Sequence, residues 1–172
     1  MKTRKTFQLL LVALFSVSFL FASSMNAQDK ELERPKNMGD SKFDNFKNSS
    51  FDIYDKVGEI DQNLGKIEEN LLSYQEDKDN MDLTSLKNDI KALKELNNDI
   101  PKLKSELTEL SGQGKTLATE AKNVKPKTRA PKAVKNTKKS IQALDKAKER
   151  MGTLVERQKV AFTTATDLLG EE

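Results

Sequence analysis

The chain has 172 residues, with 30 Lys and Arg against 27 Asp and Glu and neither His nor Cys. That length suits one domain, and the missing residue types exclude Ser–His triads, thiol nucleophiles, disulfides and the usual zinc sites. Aromatic bulk is limited to eight Phe and two Tyr, which fits a slender helical bundle better than a broad globular core.

Residues 1–27 read as a secretory signal. Lys2, Arg4 and Lys5 form a basic start, and Leu9 to Ala22 is an apolar run broken only by Ser16 and Ser18. Small residues then lead to a cut after Ala27, or after Ser24 with Ala22 placed as in an A-x-A site. A spanning helix needs about 20 apolar residues, so cleavage is expected rather than anchoring, and no Cys is present to carry a lipid. The segment, ending in Asn26-Ala27-Gln28, resembles a bacterial export signal, which implies a periplasmic or secreted protein. Without it, 27 basic residues face 27 acidic ones. The charges are segregated: residues 28–120 hold 14 basic and 21 acidic side chains, residues 121–172 hold 13 and 6. The two parts can attract across a bundle, or the basic part can meet an anionic partner.

Residues 28–40, with Pro35 and Gly39, read as a flexible leader. Ser41-Lys-Phe-Asp44 has the form of a capping box and opens a first helix over about 41–74. Its apolar positions are Phe43, Phe46, Ser50, Ile53, Val57, Ile60, Leu64, Ile67, Leu71 and Tyr74. The steps alternate three and four, and only Ser50 is not apolar, which is the seam of a coiled-coil helix. Gly58 and Gly65 weaken it by roughly 1 kcal/mol each relative to Ala and mark places where a neighbouring helix approaches closely.

Gln75 to Met81 reads as a polar turn, and Asp82 or Thr84 can cap a second helix over about 82–123. Its seam is Leu83, Leu86, Ile90, Leu93, Leu96, Ile100, Leu103, Leu107 and Leu110, with one shortened step near Leu96. Pro101 removes a helical N–H and crowds the preceding turn, so a kink or short break is expected near Asn98–Ile100. Gly112 and Gly114 follow, and Pro126 ends the pattern. A third helix over about 132–169 starts near Pro131, an early position where its missing N–H costs nothing. Val134, Thr137, Ile141, Leu144, Met151, Val155, Phe162, Ala165 and Leu169 give its seam.

The fold class expected over 41–172 is all-α: an elongated antiparallel bundle of three long coiled-coil helices, the second kinked near Pro101. Helices of this length measure roughly 50–60 Å at 1.5 Å per residue, and short turns make successive helices antiparallel.

Few motifs carry chemistry. Gly112-Gln-Gly-Lys-Thr116 ends like a phosphate-binding loop, but Glu109 stands where the first Gly belongs, and Leu103, Leu107 and Leu110 precede it at helical spacing instead of as a strand. The acids Glu76, Asp77, Asp79 and Asp82 invite a calcium loop, yet Met81 replaces a ligand and Asp82 the required Gly. Glu68-Glu69 is expected on an outer helix face, with no pocket to raise one pKa for acid catalysis. Asn48-Ser-Ser50 matches a glycosylation acceptor but falls inside the first helix. No enzyme, cofactor, metal or small-molecule substrate is expected.

The compositional outlier is Lys122, Lys125, Lys127, Arg129, Lys132, Lys135, Lys138 and Lys139, with no acid among residues 122–139. It reads either as a solvated linker offsetting the acidic helices or as a patch for anionic lipid or polymer. Nucleic acid is not expected, because no aromatics interleave for stacking and the signal leads away from it. The chain is expected to be an exported, non-enzymatic coiled-coil module of the bacterial periplasm or cell surface. It would hold a protein partner or a second copy through its helices, as a scaffold or chaperone-like part. The alternative is a peripheral envelope-binding protein that uses the Lys122–Lys139 patch.

Overall fold

The computed structural model describes residues 32–170; the expected signal over 1–27 lies outside them. Three long helices pack together: α1 (Ser41–Glu76), α2 (Leu83–Glu120) and α3 (Ala130–Leu169). Two short 3-10 turns, Ala121–Asn123 and Lys127–Arg129, join α2 to α3. The described residues contain no strand.

The caps explain the boundaries. Asp40, one residue before the expected Ser41, caps α1 by accepting hydrogen bonds from the N–H groups of Lys42 and Phe43. A charged carboxylate makes a stronger bond to those amides than a hydroxyl does. Asp44 turns the other way and accepts from Met38 N and Gly39 N, both at 2.8 Å. The expected Ser41–Asp44 box is thus replaced by two aspartates working on either side of the helix start. Asp82 caps α2 through Thr84 N at 2.9 Å. Pro131 occupies the first turn of α3, as its fixed φ and missing donor favour.

The α1 seam is buried from Phe43 to Leu71, and its one polar member, Ser50, donates to the Phe46 carbonyl at 2.7 Å. A second strip lies one residue further round the helix: Asp44, Lys47, Phe51, Tyr54, Gly58, Asp61, Gly65 and Glu68. It faces α3 along much of its length. Arg150 stacks 5.1 Å from the Tyr54 ring centre and approaches Gly58. Arg157, seven residues on, lies beside Gly65 and bonds Asp61 and Glu68. At Gly58 and Gly65 the space is taken by arginine side chains of α3, not by the close helix approach expected there. Glu68 is buried and paired, not on an outer face.

The α3 core differs from the expected seam. Thr137, Leu144, Met151 and Ala165 are buried, but so are Ala133, Ser140, Ala143, Ala147, Leu154, Gln158 and Ala161. Ile141, Val155 and Phe162 are only half-buried and Val134 is exposed. The cause is position: α3 packs more extensively against α1 and α2 than they do against each other. Its midline meets both neighbours, small residues let them approach, and the bulky residues flank that line.

In α2, Leu86, Ile90, Leu93, Ile100, Leu103, Leu107 and Leu117 are buried, while Leu83 at the start is exposed. The helix runs through Pro101 without a break. The carbonyl left without a helical donor is that of Asn97, and Asn97 is exposed, so water can satisfy it. Gly114 sits where the three helices meet: a Cβ there would lie 3.0 Å from Phe46 Cζ and 3.1 Å from Ile141 Cγ1. Further links run from Lys42 to Glu120, from Asn70 to Asp89 at 3.2 Å, and from Gln158 Nε2 to the Leu93 carbonyl at 3.0 Å.

Candidate functional site

The connection between α2 and α3 is anchored by small and apolar side chains and clothed in basic ones. Ala121 and Val124 are buried on one side and Ala133 on the other, which holds the backbone against α3. Between them the Lys127–Arg129 turn buries nothing. Lys122, Lys125, Lys127, Arg129, Lys132, Lys135 and Lys138 are exposed, and Lys139 is half-buried. The Lys132 ammonium donates to the Asn37 carbonyl at 2.9 Å. Among the described residues none of the eight has a carboxylate partner within ion-pair distance. The nearby Glu120 is engaged by Lys42. The acidic helices therefore do not neutralise this run by direct pairing.

Residues 32–40, expected as a flexible leader, lie across the same end as a strap. The Lys36 carbonyl accepts from Asn136 Nδ2 at 3.1 Å, and Asn37 takes Lys132 on its carbonyl and Lys47 on Oδ1. Met38 is buried in the core. Arg34 bridges Asp52 at 2.7 Å and Asp55 at 2.6 Å, with its guanidinium 5.7 Å from the Phe51 ring centre. Beneath the strap Lys47 is 2% exposed. Burial pushes its pKa below the ordinary lysine value; Asp44 opposes that shift, and Arg34 and Lys132 add to it.

The other candidates have structural places. Gly112–Thr116 lies inside α2, so its amides are helical and cannot wrap a phosphate. In the acidic turn, Asp77 accepts from Asn80 N and Nδ2. Asp82 accepts from Ser85 Oγ and Thr84 N, and these bonds hold its carboxyl below the usual range. Among the described residues no three His, Cys, Asp or Glu gather as a metal site, and no helix is long and apolar enough to cross a membrane. Asn48 lies mid-helix, with Ser50 of its triplet buried.

Sequence reasoning missed Lys47, Glu68 and Arg157. A signal was there: Gly58 and Gly65 are seven residues apart, as are Arg150 and Arg157, and a small residue facing a long one at each heptad is a packing pattern. No family model, curated protein or solved structure matches the chain.

Proposed function

We propose that this chain is an exported, non-enzymatic binding module whose working end is the basic α2–α3 connection, and that this end docks on an anionic surface of the bacterial envelope. The observation that carries the reading is the eight-residue basic run, seven of its side chains exposed and none with a carboxylate partner among the described residues, on an anchored backbone. Each Lys or Arg near an anionic membrane contributes about 1 kcal/mol. The scaffold reading, in which the helices hold a protein partner or a second copy, has less support. The seams are consumed within the bundle, and Leu83 and Val134 are the large apolar side chains left exposed among the described residues.

Two finer features belong to the same proposal. The helices run up, down and up as an antiparallel bundle, supported by the Lys42–Glu120 and Asn70–Asp89 links between α1 and α2. The second helix bends at Pro101, supported by the lost N–H at that position. Export rests on residues 1–27, and N-terminal sequencing of the mature protein reads the cut.

Binding of the mature chain to phosphatidylglycerol vesicles tests the docking. The expected affinity falls steeply as salt is raised, since exposed charges are screened beyond about 8 Å at physiological ionic strength, and phosphatidylcholine vesicles are not bound. A protein partner that co-purifies and survives high salt, with no vesicle binding, would restore the scaffold reading.

A further inference from the structure

Beside the basic connection α2 and α3 leave a groove of about 570 Å3, inside the range of roughly 300–1,000 Å3 typical of small-ligand sites. Ala118, Val134 and Ile141 supply its apolar lining, and Lys122 and Lys138 stand on it as cations. Val134 is 39% exposed, a large apolar side chain in water within the most basic stretch of the chain. Thr137 is also part of the lining; it is 2% exposed, and its hydroxyl has no hydrogen-bond partner.

Length and charge select the occupant. The lining runs along α3 from Val134 to Asp145, a rise of about 16 Å at 1.5 Å per residue. One leaflet of a bilayer's hydrocarbon core is about 15 Å deep, half of the whole. Lys122 stands at the connection and Lys138 one turn beyond Val134; Asp145, two turns past Lys138, repels a second anionic group, so a chain held at Lys138 runs along about 10 Å of the groove. A partner helix, about 10 Å across, would need a broader apolar face than Val134 and Ile141 offer.

We propose that the groove takes one acyl chain of an anionic lipid, with Lys122 and Lys138 holding the headgroup end. The inference rests on the docking role of the basic end and specifies what that end docks on. It converts a salt-sensitive electrostatic contact into one with an apolar, salt-resistant part.

Two probes separate the parts: phosphatidylglycerol vesicles, which carry acyl chains, and polyphosphate, which is anionic without them. Ala118→Phe fills the groove and leaves the charge unchanged. It is expected to weaken vesicle binding about tenfold while polyphosphate binding and the helical spectrum stay as in the parent. The chain contains no Trp, so Val134→Trp places a single reporter in the groove. Its emission is expected to shift to the blue on vesicles and to be quenched by lipids brominated along the acyl chain. Unaltered vesicle binding by a folded Ala118→Phe variant, or a Trp that bromolipids do not quench, would overturn the acyl-chain site even if polyphosphate still binds. A Trp signal that answers to an acidic helical peptide and not to vesicles would assign the groove to a protein and overturn it equally. Failure of the parent to bind either probe would remove the docking role as well.

Discussion

Two buried charges test how residues on the second α1 strip contribute. Arg157 makes a bidentate bond with Glu68, Nε to Oε1 at 2.9 Å and Nη2 to Oε2 at 2.6 Å, and also reaches Asp61. The bond to Glu68 holds the guanidinium pKa above its ordinary value against the opposing effect of burial. Glu68 is 4% exposed, so Arg157→Ala strands a buried carboxylate and is expected to destabilise by about 3–5 kcal/mol, whereas replacing both partners by Arg157→Met and Glu68→Leu restores most of that. Denaturant unfolding measures both, and a loss below about 1 kcal/mol in the single variant would show that the pair is not buried in solution. Lys47 carries the opposite sign. Its folded pKa lies below the ordinary 10.5, so the unfolded chain binds more protons in the interval between, and stability rises with pH there. Below that interval the folded state carries the full penalty of the buried charge. The stability of the parent minus that of Lys47→Met is therefore expected to climb as pH approaches 10.5; a flat difference would contradict the assignment.

At the scale of elements, α1 was legible because large apolar residues at alternating three and four steps are its core. The adjacent strip was not, since Asp44, Lys47 and Glu68 are polar and their burial depends on partners brought in by the strap and α3. In α3 the bulky residues misplaced the seam. Ala133, Ala143, Ala147 and Ala161 weigh little on any hydropathy scale, yet they form the midline because two neighbours crowd it. The α2 helix shows the limit of a local rule: Pro101 fixes its own φ and deletes one bond, but it cannot break a helix whose flanking Ile100 and Leu103 are buried. Amide exchange across Asn97–Lys104 measures what remains of that defect. The parent is expected to exchange faster there than in the flanking turns, and Pro101→Ala to raise protection; full protection in the parent would remove the proposed bend.

On the scale of the whole molecule, the basic run was legible as composition, since eight cations without an acid between them stand out in any charge plot. Its surroundings were not. The strap over residues 32–40 depends on contacts between residues about a hundred positions apart, such as Asn136 with Lys36, and the groove beside Val134 on how α2 and α3 pack across the connection. The three helices satisfy one another's seams, which leaves charge as the main currency for meeting a partner. In the proposed docking role, position and not net charge makes the basic end a binding site. The most direct measurement compares two triple variants on phosphatidylglycerol vesicles. One reverses Lys125, Lys127 and Arg129 to Glu at the connection; the other reverses the exposed Lys87, Lys91 and Lys94 on α2. Both change the net charge by the same amount. At about 1 kcal/mol for each basic residue removed, the first is expected to lose roughly a hundredfold in affinity or more, while the second stays within a few-fold of the parent. Equal losses in the two variants, or no loss in the first, would contradict the account.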